Sequence, residues 1–237
     1  MQIQEILSIV KTQLAIDLNC TPSDFTKPGI TFCEAKENPG CRPFTREPRH
    51  FEMLTMGDGV IVSADPDVLP QLRELLADKP RDDAFNLPFS TKSGPYFLPT
   101  AKPTPLPYID GFCFEFLEQP QILQLHEHKE FHNVMSPDIN RPDVLAVIAK
   151  KDETIVGAAG ASIDCDMLWQ IGIDVLPDYR SLGLAAVLVN RLSIEILNRG
   201  KIPYYGTAFT NVASQRVALR AGYTPAWVCT YKASLPL

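Results

Sequence analysis

Between Trp169 and Ala185 the hydrophobic pattern changes within a few residues from that of a strand to that of a helix, and nothing else in the 237 residues restricts the fold as strongly. Trp169 to Val175 is apolar and β-branched enough for a buried strand. Pro177 cannot donate to a ladder, so the strand should end near Leu176. From Leu184 onward, Ala185, Leu188, Val189, Leu192 and Ile196 recur at helical spacing, and Gly200 supplies a C-terminal stop. The turn reads Arg180-Ser181-Leu182-Gly183-Leu184-Ala185. Apart from Ser181 it offers no capping side chain, so the free N–H groups of the first helical turn need acceptors from elsewhere. An anion such as a pyrophosphate meets that need, and the helix dipole favours its charge. Gly183 lets the backbone approach phosphate closely, Ala185 keeps the third position small, and Arg180 can add a charged donor. A plain strand–turn–helix with a surface arginine would explain Arg-x-x-Gly-x-Ala taken alone.

A second block follows at a fixed distance. It reads Asn211-Val-Ala-Ser214-Gln-Arg-Val217-Ala-Leu-Arg-Ala-Gly222-Tyr223, a short helix ended by glycine after a strand expected over Tyr204 to Phe209. Asn211 stands where an N-cap belongs. Together the two blocks resemble the central motifs of the GNAT superfamily of acyl-CoA N-acyltransferases. The resemblance covers roughly residues 111 to 235. It implies an α/β (α+β) fold, with helices flanking a mixed, mostly antiparallel sheet. It implies acetyl-CoA as acyl donor, with Ile173, Val175, Arg180, Ser181, Leu182, Gly183, Leu184, Ala185, Asn211 and Ser214 as its contacts and no metal. Backbone N–H groups at Ile173 or Val175 would polarise the thioester carbonyl. The implied reaction is acetyl transfer to a primary amine of a small acceptor by direct attack, which rests on positioning and requires no nucleophilic side chain. A non-catalytic acyl-CoA-binding module and a protein N-acetyltransferase remain as alternatives, and the motifs name no acceptor.

One departure concerns proton transfer. The family often places a tyrosine four residues before the second-block glycine, to protonate the leaving thiolate; here Ala218 stands there. Tyr205 and Ser214 are the nearby candidates for general acid, with water as the alternative. Many members also carry a glutamate on the motif strand, where this chain has Trp169 and Gln170. Gln170 can hold a water but cannot take a proton. Asp174 should point to the face opposite Ile173 and Val175.

The preceding part of the chain matches no signature. Ile3, Ile6, Leu7, Val10, Leu14 and Leu18 mark an amphipathic opening helix. Phe51 to Leu54 and Val60 to Ala64 suggest a hairpin, and Asp65 to Ala77 a helix capped by Asp65. Ser93 to Pro107 holds five prolines and reads as a linker. The division expected is thus a smaller α+β region, 1–107, on the acceptor side, and an acetyltransferase domain, 108–237. In the latter, strands should cover Phe112 to Leu117, Val144 to Lys150, Ile155 to Ile163, Leu168 to Val175 and Trp227 to Tyr231, with a helix from Pro120 to about Val134.

His126, His128 and His132 fall on that last helix. The second and third stand at i and i+4, a metal-binding spacing that lacks a third ligand; a solvated helix face explains them more simply. One of them near the acceptor could also serve as a base. The six cysteines show no C-x-x-C spacing and read as reduced, mostly buried small hydrophobes. With no apolar run of membrane-spanning length and no basic leader, a cytoplasmic protein is expected. A net charge of −6 argues against nucleic acid as partner. A homodimer is left open.

Overall fold

A computed structural model describes residues 2–42, 50–87, 93–100, 102–135, 138 and 140–230. In chain order these form α1 (Ile3–Leu18), β1 (Gly29–Glu34), β2 (Phe51–Thr55), β3 (Gly59–Ala64), α2 (Leu69–Leu76), α3 (Arg81–Phe85), β4 (Ser93–Pro99), β5 (Cys113–Glu118), β6 (Asp143–Lys151), β7 (Thr154–Ile163), β8 (Leu168–Val175), α4 (Leu184–Asn198), β9 (Ile202–Gly206), α5 (Val212–Arg220) and β10 (Tyr223–Thr230). Contacts divide them into two compact units. One holds Phe97–Gly206 and Asn211–Thr224 with the first residues of α1. The other holds Leu7–Tyr96, Thr207–Thr210 and the chain from Pro225.

In the second of these units the strands run in the order β1-β3-β2-β10, with β1 parallel to β3 and the remaining pairs antiparallel. Phe51, Met53, Val60 and Val62 meet Leu72 and Leu76 of α2 in its core. The expected hairpin and opening helix are present. The helix expected from Asp65 starts only at Leu69, because the Asp65 carboxylate accepts the His50 N–H at 2.9 Å and does not cap the helix.

The first unit carries the motifs. Its strands run β5-β6-β7-β8-β9, antiparallel except for the parallel pair β8 and β9. Strand alternation builds a core on each face. Leu145, Val147 and Ala149 of β6 join Leu184, Leu188 and Leu192 of α4 on one side. Ala146 and Ile148 join Ile122, Leu125 and Phe131 on the other. Covering both faces is what makes β6 and β7 read as continuous apolar runs. The helix expected from Pro120 to Val134 is replaced by two 3₁₀ turns, Gln121–Glu127 and Lys129–Phe131. They are separated at His128, whose φ of −97° and ψ of 91° are extended. The i, i+4 relation of His128 and His132 disappears with that helix. Among the described residues no group of three or more His, Cys, Asp or Glu is placed to hold a metal.

The proline-rich segment is not a free linker. Its first part is β4, and beyond it the backbone is tied to the middle of α4. Buried Asn190 accepts the Leu106 N–H at 2.9 Å and donates to Thr104 O and to Ala221 O, both at 3.1 Å. The Arg191 guanidinium stacks 4.1 Å from the Tyr108 ring centroid. β9 ends at Gly206, three residues before the expected Phe209, and β10 begins at Tyr223, four before the expected Trp227. Of the cysteines only Cys229 is buried; Cys113 is exposed and the other four are half-buried, so the expectation of mostly buried thiols fails. No helix among the described residues is long and apolar enough to cross a membrane.

Asn190→Ala would orphan one buried N–H and two carbonyls at once. A loss of roughly 2–3 kcal/mol is expected, read as a lower urea midpoint at constant slope.

Candidate active site

Strand β8 organises the site through the parity of its residues. Leu176 N–H donates to Val156 O at 2.9 Å, in the same register as Gly157↔Val175. Even-numbered residues of β8 therefore exchange hydrogen bonds with β7, and Ile173 and Val175 turn their N–H and C=O groups to the opposite edge. On that edge the parallel partner β9 stays in register only from Leu168↔Ile202 to Gln170↔Tyr204. Beyond it, no strand among the described residues is paired with the main-chain groups of Ile173 and Val175 on that edge. Arg180 uses that edge, its Nε donating to Val175 O at 3.0 Å.

Side chains follow the same alternation. Trp169, Ile171 and Val175 enter the core beneath α4, with Ile173 at its margin. Gln170, Gly172 and Asp174 face the other way, as expected for Asp174. Gly172 lies directly opposite Gly160 of β7. A Cβ on Gly172 would stand 1.7 Å from Asn133 O, and one on Gly160 2.4 Å from Val134 O. The paired glycines thus form a trough in which the Asn133–Val134 backbone lies against the sheet. Asp174 fixes it there, accepting the Asn133 N–H and its Nδ2, each at 2.7 Å. Asn133 Nδ2 also lies 3.1 Å from His132 Nε2. His128 contacts Glu130 and His126 stands one turn away in the chain, so the three histidines share no site.

Gln170 belongs to a half-buried polar cluster. Arg141 donates through Nε to Asp164 Oδ1 at 2.7 Å and through its terminal amine to Gln170 Oε1. Tyr204 donates to Asp164 and lies 3.3 Å from Gln170 Oε1. An arginine only donates, so the amide oxygen of Gln170 is already engaged.

The start of α4 has the features read in the sequence. Gly183 is the N-cap, left-handed at φ 92°, with no side-chain cap, and Ser181 is also left-handed at φ 64°. Alternating left-handed residues make successive N–H groups converge on an anion. None of the five N–H groups from Ser181 to Ala185 finds an acceptor among the described residues. A side chain at Gly183 would meet only Ile109 Cδ1, at 3.7 Å, so the space before the helix is open. Arg180, exposed and anchored by its Nε, leaves its terminal amines outward.

At the start of α5, Asn211 is the cap, its Oδ1 accepting the Ser214 N–H at 3.1 Å. Ser214 Oγ lies 2.7 Å from the Tyr205 hydroxyl. The two residues singled out as proton donors are therefore hydrogen-bonded to each other. Tyr205 is buried among core residues that include Ala218, and burial pushes its phenol above the ordinary range, although the Ser214 bond opposes this. Tyr223, which the sequence reading left unused, hydrogen-bonds Ser193 at 2.6 Å; burial pushes it up further.

Main-chain donors at the start of α4, without acceptors among the described residues and joined through Arg180 to the edge of β8, form an arrangement that can receive an anion. Residues 110–223 match the model of the acetyltransferase (GNAT) family, and this segment belongs to that family. No curated protein matches it. Among solved structures it is similar to an acetyltransferase of the GNAT family from Colwellia psychrerythraea, 16% identical over 59% of this chain and 56% of that one, with a TM-score of 0.46. A GCN5-related N-acetyltransferase from Kribbella flavida is 16% identical over 59% and 57%, with a TM-score of 0.47. The yncA protein of Salmonella typhimurium, solved with its cofactor acetyl-CoA, is 15% identical over 54% of this chain and 98% of its own, with a TM-score of 0.38. The chain spans little more than half the length of the first and second of these.

Gly172→Ala must displace the Asn133 backbone, since the added carbon would sit inside the van der Waals contact of a carbonyl. Destabilisation of roughly 2–4 kcal/mol is expected in urea unfolding, with faster amide exchange at Asn133 and Val134.

Proposed function

We propose that this chain transfers the acetyl group of acetyl-CoA to a primary amine of a small acceptor by direct attack of the amine on the thioester. The observation that carries this reading is the run of five acceptor-free N–H groups, Ser181 to Ala185, at the positive end of the 15-residue helix α4. Main-chain donors of Ser181, Leu182, Gly183, Leu184 and Ala185 would hold the pyrophosphate, with Arg180 adding charge. The outward N–H groups of Ile173 and Val175 suit the amide-bearing arm and the thioester carbonyl. Asn211, whose Oδ1 is committed to the cap, keeps its Nδ2 for that arm, next to Ser214.

Tyr205 is the proton donor we favour for the departing thiolate, reached through Ser214. Its raised phenol keeps the proton across the neutral range, and no tyrosine stands at Ala218 to compete. Gln170, with its oxygen engaged by Arg141, orients its surroundings and takes no proton. Asp174, the carboxylate of β8, is bonded to Asn133, so the amine loses its proton to solvent. The burden on the protein is positioning and carbonyl polarisation.

Acetyl-CoA well above its dissociation constant should raise the melting temperature of the wild type. Gly183→Asp, placing a carboxylate where the pyrophosphate would lie, should abolish that rise. An unchanged rise in this variant refutes the assignment of the loop. Thiol release with a panel of amines, polyamines, aminoglycosides and amino acids then identifies the acceptor. No release with any amine would leave acyl-CoA binding without turnover.

Tyr205→Phe should lower kcat by about 10- to 100-fold with little change in acetyl-CoA affinity. Ser214→Ala should follow it in direction. Because the phenol is raised, the wild-type kcat should show no loss from tyrosine ionisation below pH ~10, the ordinary tyrosine value. Unchanged turnover in both variants would assign the proton to water.

A further inference from the structure

In the polar cluster beside Gln170 the acceptors are occupied and several donors are not. Asp164, buried at the turn between β7 and β8, accepts from Arg141 Nε through Oδ1 at 2.7 Å and from the Tyr204 hydroxyl through Oδ2. Ser162 Oγ lies 3.4 Å from the same Oδ1. Gln170 Oε1 accepts from Arg141 Nη2. An arginine carries no acceptor, so this contact fixes the Gln170 amide with its Nε2 turned away from Arg141. The guanidinium also offers more N–H groups than Asp164 and Gln170 take up. Arg141 Nη1, the second hydrogen of Nη2 and Gln170 Nε2 find no acceptor among the described residues. The Arg141 side chain is 29% exposed against 6% for Asp164, and the unpaired nitrogens are not buried. What the cluster presents outward is therefore a set of donors.

We propose that Arg141 and Gln170 form a subsite for a carboxylate of the acceptor, so that the amine acetylated belongs to an amino acid whose amine and carboxylate lie several bonds apart. The inference rests on the acetyl-transfer reading for the amine, whereas the carboxylate site stands on the hydrogen bonds of the cluster. A surface made of donors is answered by an anion, and the Nη1–Nη2 edge of a guanidinium matches the two oxygens of a carboxylate. Nε and Nη2 are both anchored, so that edge is held in place and little side-chain freedom is lost on binding. Gln170 is also the last residue of β8 in register with β9, opposite Tyr204. The carboxylate would sit where the two strands part. From there to the outward N–H of Ile173, the contact proposed for the thioester carbonyl, is a rise of ~10 Å along β8. Beyond Gln170 that edge of β8 pairs with no strand among the described residues, which leaves it for the acceptor chain. An α-amino acid is too short for this span, and an extended chain such as ε-aminocaproate suits it.

The test uses the full chain with ε-aminocaproate, its amide and pentylamine, and glycine as the short amino acid. Thiol release from acetyl-CoA should give ε-aminocaproate a kcat/KM about 10- to 100-fold above the other three, the range of one hydrogen bond to a charged group. Arg141→Lys keeps a cation beside Asp164 and loses the fork. It should raise the KM of ε-aminocaproate about tenfold, with the loss falling on KM rather than kcat, and narrow the preference over pentylamine. Gln170→Glu keeps an oxygen for Arg141, replaces the amide donor with a second carboxylate oxygen, and should act in the same direction; it serves where the lysine variant does not fold. Calorimetry of ε-aminocaproate with the CoA-saturated protein reads the site without turnover. Binding that either variant weakens, with no thiol release from any amine, upholds the carboxylate site and refutes acetyl transfer. A kcat/KM for pentylamine or glycine equal to or above that of ε-aminocaproate overturns the proposal. So does the absence of any ε-aminocaproate binding that these variants weaken.

Discussion

The fit of the Asn133–Val134 backbone into the glycine trough of β7 and β8 governs the geometry of the motif-bearing unit. Gly160 and Gly172 stand opposite each other, and neither could carry a Cβ without meeting a carbonyl oxygen of the covering segment. Asp174 then holds that segment with two hydrogen bonds. Ahead of that segment, two 3₁₀ turns stand where apolar spacing alone suggested a longer helix. The covering segment also consumes the carboxylate of β8.

A second constraint is the divergence of β8 from β9. Register holds through Gln170↔Tyr204 and then ends, while parity sends the N–H groups of Ile173 and Val175 toward the side that β9 has left. The turn after β8 bends back through Arg180, bonded to Val175 O, into the acceptor-free start of α4. Strand edge and helix start are thus joined by one side chain. The face bearing Tyr205 and Ser214 is the α4 face, whereas Gln170 and Asp174 lie on the other; the Tyr205–Ser214 pair and the polar cluster of Arg141 and Asp164 are separated by the thickness of the sheet.

Much of this was legible in the residues. The change of period at Pro177 located β8 and α4, Asn211 marked the cap of α5, and Ala218 left the proton donor to Tyr205, Ser214 or water. The pairing of Tyr205 with Ser214 was named in advance only as two alternatives, because their meeting depends on how β9 and α5 pack. The failures have a common cause. Asp65 and the prolines from Pro95 to Pro107 were judged by local propensity, and long-range partners decided both: His50 for Asp65 and Asn190 for the proline-rich chain.

The anion cradle proposed at Ser181 to Ala185 consists of peptide groups. Its information is stored in dihedral angles, chiefly the left-handed values at Ser181 and Gly183. Exchange of the exposed Leu182 side chain leaves such a surface unchanged, whereas a residue that forbids positive φ at Gly183 erases it without touching a single charged group. Drift in the side chains of this loop is therefore nearly silent, and a comparison of letters underestimates how much of the site two chains share.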